Sequence, residues 1–197
     1  MQFNLSKKNL ALGLVIALIA FAFGFLISNR GEDSDMMMSG MHNSSNTNSE
    51  FSAADIHFAQ MMIPHHEQAV EMSDIAIKNS KDPNVIELAK QIKDAQSPEI
   101  TQMKSWLTKS GFDPDAPHNM MMSGMLTDAE IAKLKKTTGT AFDKLFLAGM
   151  IKHHEGALLM VQMVDESKNS EVKTLAENIS SSQRIEIETM KAMLAGK

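Results

Sequence analysis

The sequence predicts an all-α protein: a four-helix bundle made of two repeated helical hairpins, preceded by one N-terminal transmembrane or signal helix. Three observations predict it. From Ser52 onward the chain reads as helical segments punctuated by capping residues. Asp55–Asn79 aligns with Asp143–Ser167 at nine identities in twenty-five positions, and Val85–Leu107 with Val172–Leu194 at ten in twenty-three. Leu10–Ile27 is an apolar run of 18 residues without a charge. A hairpin that cannot bury its apolar face alone pairs with its copy, which gives four helices around one core.

The apolar run nearly matches the hydrocarbon core of a bilayer in length. Lys7 and Lys8 precede it and Glu32, Asp33 and Asp35 follow, so the N-terminus is expected in the cytoplasm and the body outside it. Ala20-Phe21-Ala22 would serve as the cleavage motif of a removed signal peptide. Residues 1–30 are therefore a signal anchor or signal peptide, and both export the body. Residues 31–51 read as a flexible linker rich in Ser, Asn and Gly.

The body spans 52–197, with repeats at about 52–110 and 140–197 and a methionine-rich loop at 111–126. Ser52 with Asp55 resembles a capping box and opens a helix that runs to about Asn79. Asp82-Pro83 opens the second, since proline is tolerated in a first turn. That helix ends near Ser110, with Gly111 as its cap. Thr127 with Glu130 is a second capping box, before a short helix. A third long helix covers about Thr140–Ser167, and a fourth about Ser170–Ala195. Pro64 and Pro98 fall inside the first two helices, where each removes an N–H donor.

Composition removes several function classes. Without cysteine there are no disulfides, thiolate metal sites or cysteine nucleophiles. A net charge of -5, no tyrosine and one tryptophan make a poor nucleic-acid partner. Methionine is the outlier, at 18 against nine phenylalanines.

The repeat shows where that methionine is kept. On a wheel of about 100° per residue, Asp55, Phe58, Met62, His65, His66, Ala69 and Met72 fall within an arc of about 120°. Asp143, Phe146, Met150, His153, His154, Ala157 and Met160 do the same. Packing alone would choose leucine, whereas His-His pairs flanked by methionine point to a metal site built from facing helices. Met103 and Met190 correspond between the repeats and could add ligands. Imidazole suits copper and zinc, and thioether selects Cu(I). Cu(I) is therefore favoured, Cu(II) admitted and zinc placed lower. Hard-oxygen metals do not suit a set poor in carboxylate. Glu67 and Glu155, also kept, fall off this face and are expected at the surface.

The hexapeptide Met-Met-Met-Ser-Gly-Met occurs identically before each half. Its first copy supplies Met36, Met37, Met38 and Met41 with His42 adjacent. Its second supplies Met120, Met121, Met122 and Met125 with His118 nearby. In loops with no core to fill, these methionines are expected to capture soft metal; a sticky interaction surface is the competing reading.

Met62-Ile63-Pro64-His65-His66-Glu67-Gln68-Ala69 and Met150-Ile151-Lys152-His153-His154-Glu155-Gly156-Ala157 resemble the twin motif of a bacterial family, domain of unknown function 305. The resemblance covers roughly Ser52–Leu194. It implies an exported, ferritin-like helical bundle, and some members of the family are described as copper-binding. It does not carry di-iron chemistry here, because the chain contains no Glu-x-x-His.

The function expected is non-enzymatic: a copper buffer, scavenger or metallochaperone on the outer side of the bacterial envelope, membrane-anchored or released. Its partners would be the metal ion, the membrane and a copper-transport protein. A metal-dependent oxidoreductase and a protein-interaction module are the alternatives. Neutral histidine is needed for binding, so affinity is expected to fall below about pH 6.

Overall fold

The structure, a computed structural model, describes residues 50–116 and 122–197. The expected N-terminal helix at 1–30 and the linker up to residue 49 lie outside the described residues, as do Met36, Met37, Met38, Met41, His42, His118, Met120 and Met121. Among the described residues there are five α-helices and no strand. None of these helices is long and apolar enough to cross a membrane.

The order is α1 (Ala53–Asn79), α2 (Pro83–Lys109), α3 (Asp128–Lys136), α4 (Gly139–Met160), a 3₁₀ turn (Val161–Val164) and α5 (Ser170–Ala195). The caps follow from the sequence. Ser52 and Asp55 form a reciprocal capping box, as do Thr127 and Glu130. Asp82 caps α2 with Pro83 in the first turn, and Asn169 accepts from Glu171 and Val172 at the start of α5. Gly111 follows α2 with a φ of 77°, which a residue without Cβ adopts without strain. Pro64 and Pro98 both stay inside their helices.

The expected helix from Thr140 to Ser167 is shorter than its repeat partner. It gives way after Met160 to the 3₁₀ turn. In a 3₁₀ turn residues three apart eclipse one another, so Val161 and Val164 both face inward, at 4% and 1% exposure.

α1 packs along α2, α4 along α5, and the two hairpins meet through α1 and α4. The core falls into two apolar clusters. One holds Phe58, Met62, Trp106, Leu107, Met160 and Ile179; the other holds Met72, Leu88, Ile92, Phe142, Phe146 and Ile187. Each fully buried large side chain stabilises the fold by roughly 1.5–3 kcal/mol.

α3 buries Ile131 and Leu134 in the core, and one side chain of α1 holds its end. The Asn79 Nδ2 group donates to the carbonyls of Leu134 (3.2 Å), Lys135 (3.2 Å) and Thr137 (3.0 Å), which end that short helix. Asn79→Ala removes this donor, although the Leu134 carbonyl keeps the Thr137 N–H, and should destabilise the protein by about 1–3 kcal/mol. Urea unfolding measures the loss. Hydrogen exchange should show α3 opening before the long helices.

Candidate metal centre

All four long helices change from one apolar cluster to the other at the same level. On α1 the change lies between Ile63 and Ala69, on α2 between Ile92 and Met103, on α4 between Met150 and Ala157, and on α5 between Ile179 and Ile187. Polar residues occupy each interval: His65 and His66, Gln96 and Glu99, His153 and His154, Gln183 and Glu186. A polar layer thus crosses the middle of the apolar core. The repeat relates its members pairwise, with α1 matching α4 and α2 matching α5.

The histidines are fully enclosed, each at 0–1% exposure. The His65 and His153 rings face each other across the α1–α4 contact, with centroids 3.8 Å apart. His66 and His154 lie outside them, 6.5 and 6.2 Å from their chain neighbours. His66 Nε2 donates to Glu99 at 2.9 Å, and His154 Nε2 donates to Glu186 at 2.7 Å. His65 Nε2 donates to the Ser123 carbonyl at 3.1 Å. His153 makes no well-formed hydrogen bond at either ring nitrogen, although the His65 backbone lies against its ring, and Nδ1 of the other three histidines has no protein partner. Both ends of the Gln96 and Gln183 amides are likewise buried without a partner. Buried polar atoms are rarely left so, and in native proteins a cluster of them marks a place where water or an ion is held.

Burial first, and then the neighbouring His66, push the His65 pKa from 6.5 down to about 3. Burial and then His65 hold His153 well below the usual histidine value. Both rings are neutral at physiological pH, the form that binds metal. The pH limit near 6 expected from ordinary histidine therefore does not apply to these two rings in the folded protein.

The predicted methionines are all buried: Met62, Met72, Met103, Met150 and Met190 at 0% exposure and Met160 at 4%. They divide into triads. Met62, Met103 and Met160 belong to one apolar cluster, and Met72, Met150 and Met190 to the other. The repeat pairs Met62 with Met150, Met72 with Met160 and Met103 with Met190, so the triads exchange under it and flank the polar layer from both sides. Among the described residues no three His, Asp or Glu side chains converge to hold an ion. A metal here must draw on thioethers, or the facing rings must turn. The donor set of neutral imidazole and thioether fits a soft cation.

Two points go beyond the expectations. The layer holds carboxylates that the face of α1 does not include: Glu99 and Glu186 reach it from α2 and α5. A wheel of α1 alone could not show them, although both are among the ten identities between Val85–Leu107 and Val172–Leu194. Glu67 and Glu155 are exposed, as expected, and Glu67 pairs with Lys104 at 3.1 Å. The second point concerns the methionine loop, which does have a core to fill. Met122 is 8% exposed and joins the Met62 cluster, with Met125 packed against it. Gln68 clamps the loop from α1, accepting from the Leu126 N–H at 2.7 Å and donating to the Leu126 carbonyl at 2.9 Å.

Comparison with known proteins gives concordant findings. The pattern that defines the family described as "Domain of unknown function (DUF305)" matches residues 55–194. A Streptomyces coelicolor DUF305 protein described as secreted is 34% identical, with 73% of this chain and 93% of that one covered and a TM-score of 0.68. A DUF305 fragment from Deinococcus radiodurans is 32% identical over 75% and 99% of the two chains, with a TM-score of 0.69. CopM in its Cu(I)-bound form is 29% identical over 72% and 96%, with a TM-score of 0.62. CopM structures also exist with silver and with Cu(II). No curated protein sequence matches the chain.

Proposed function

Because this chain belongs to the DUF305 family, we propose that it binds copper as a non-enzymatic buffer, scavenger or metallochaperone on the exported side of a bacterial envelope. One observation carries the reading. Four buried imidazoles present ring nitrogens without partners, between two triads of buried methionines. Nothing in apolar packing calls for that layer, since a buried polar atom without a partner costs about 1–3 kcal/mol. A soft cation entering it meets nitrogen and sulfur donors already enclosed by the helices. Cu(I) suits this set best, with Cu(II) as a second oxidation state and zinc as a weaker competitor. The metal-bound forms of CopM, a structural neighbour, support the choice.

The remaining parts of the reading follow the same line. The body is a ferritin-like four-helix bundle, held at the membrane or released by the N-terminal helix. It would pass copper to a transport protein. The secreted Streptomyces coelicolor neighbour supports export.

The test is a Cu(I) titration of the purified chain against a competing chelator. Two variants accompany it. Changing His65, His66, His153 and His154 together to alanine should abolish tight binding. Met62→Leu with Met150→Leu keeps apolar volume, so each swap should cost less than about 1.5 kcal/mol of stability. The same pair should weaken Cu(I) binding by ten-fold or more if the thioethers are ligands. Unchanged affinity in the histidine variant would move copper to the methionine loops. An absence of binding in the parent would end the reading.

A further inference from the structure

The hydrogen bonds of the polar layer carry more than the identity of its ligands. Three rings have Nε2 directed at an oxygen: His66 at the Glu99 carboxylate, His154 at the Glu186 carboxylate, and His65 at the Ser123 carbonyl. A carbonyl or carboxylate oxygen accepts, so Nε2 must carry the proton in each case. Nδ1 of the same three rings meets no protein partner. A second proton there would be a buried donor with no acceptor, so the neutral ring leaves Nδ1 as a bare lone pair.

We infer that the imidazoles of His65, His66 and His154 meet soft metal through Nδ1 rather than Nε2, each beside methionine thioethers and not as one three-histidine cluster, with Glu99, Glu186 and the Ser123 carbonyl as the outer acceptors that hold the proton on Nε2. This rests on the copper-binding reading and specifies its coordination. Ligation through Nε2 would break each of these bonds. It would also strand Glu186, whose side chain is 10% exposed, without its partner. Ligation through Nδ1 keeps every bond, and the acceptor behind the ring then makes the ligating nitrogen a better donor.

The repeat supports the assignment independently. Glu99 and Glu186 correspond to each other, as do His66 and His154, so the same donor–acceptor pair is built twice. The remaining pair is unequal. His65 has the Ser123 carbonyl, which comes from the loop between the halves, while His153 lies against the His65 backbone without a well-formed bond at either nitrogen. His153 is therefore the ring least tied to one tautomer, and the one whose rotation separates the facing pair without breaking a well-formed hydrogen bond. Glu99 and Glu186 are positioning residues, acting on metal through the imidazoles they hold.

The experiment is two-bond ¹H–¹⁵N correlation NMR on the full chain with ¹⁵N-labelled histidine, first metal-free and then with Ag(I) as a diamagnetic probe. The expected metal-free spectrum shows the Nε2–H tautomer for His65, His66 and His154. Ag(I) should then move their Nδ1 resonances and leave Nε2 protonated. An Nδ1–H tautomer in the metal-free protein, or Ag(I) on Nε2, overturns the inference while leaving the copper-binding reading intact. Ag(I) that moves neither the imidazole nor the methionine methyl resonances overturns both.

Glu99→Gln with Glu186→Gln supplies the second arm, because glutamine keeps the volume but can present a donor in place of the acceptor. Ag(I) and Cu(I) affinity should fall by about 10–100-fold with the helical fold retained, and the tautomer of His66 and His154 should become mixed. Unchanged affinity in that variant removes the positioning role.

Discussion

Acidifying the metal-free protein should unfold it well before its carboxylates account for the loss. In the unfolded chain His65 takes up a proton near pH 6.5, whereas in the fold it does so only at about 3. Between those values the unfolded state binds the extra proton, so stability is full above about 6.5 and declines as pH falls toward 3. A group that stays neutral while its unfolded counterpart is charged costs about 1.4 kcal/mol for each pH unit. At about pH 4.5 that amounts to roughly 3 kcal/mol from His65 alone. His153, also held well below its ordinary value by burial, acts in the same direction. Against a typical total of about 5–15 kcal/mol, this is a large share. The ion-paired acids act later: Asp82, held down first by its hydrogen bond from Lys197, weakens the fold only below its unfolded value of 3.8. Urea unfolding between about pH 7 and 4.5, with a chelator present, measures the slope. His65→Gln with His153→Gln should flatten it. A parent protein equally stable across that range would mean that these rings are not buried neutral.

The same pair explains what was legible in the sequence and what was not. The helices and their caps are local, and Ser52, Asp82, Thr127 and Asn169 announce them by residue type. The histidines and the six buried methionines were legible because the chain carries two copies, and comparison separates what both keep. That comparison also kept Gln96 with Gln183 and Glu99 with Glu186. Their meaning was hidden, because whether Glu99 meets His66 depends on how α2 lies against α1, and a wheel of one helix holds no such information. The end of α4 was misplaced for a related reason. Val161 and Val164 fit a helix by composition, but the tighter turn aims both at the core. The burial of Met122 was not foreseen, and it falls where the repeat is broken. Gly156 corresponds to Gln68, and the difference lets the loop lie on α4 while α1 holds it by a side chain.

That break in the repeat yields the second large effect, since Gly156→Ala should lift the loop off the body. A Cβ at Gly156 would run into the Ser123 carbonyl oxygen, and would lie 2.6 Å from the Ser123 carbonyl carbon and 2.8 Å from Gly124 Cα. These are backbone atoms with no rotamer to yield, and the loop is pinned from the other side. Gly124 itself has a φ of 84°, and a Cβ there would lie 2.5 Å from the Lys152 carbonyl oxygen. Displacing the loop breaks the Ser123–His65 bond, strains the two Gln68–Leu126 bonds and draws Met122 from the core. The lost hydrogen bonds are worth about 1 kcal/mol each and the burial of Met122 about 1.5–3 kcal/mol, while alanine returns up to about 1 kcal/mol of helix propensity. The net expectation is a loss of about 2–4 kcal/mol, or roughly 5–15 °C in Tm for a chain of this size. Gly149 on the same helix is the matched control. A Cβ there meets only side-chain ends, Leu126 Cδ2 at 3.1 Å and Met72 Cε at 3.4 Å, so Gly149→Ala should be neutral or mildly stabilising. Opposite signs for the two variants in thermal melts would show that the loop is seated by the missing side chain of Gly156. Equal melting would mean that the loop sits there without contributing. In that case Ser123 could not hold the His65 proton in place, and the asymmetry between His65 and His153 would have to come from the helices alone.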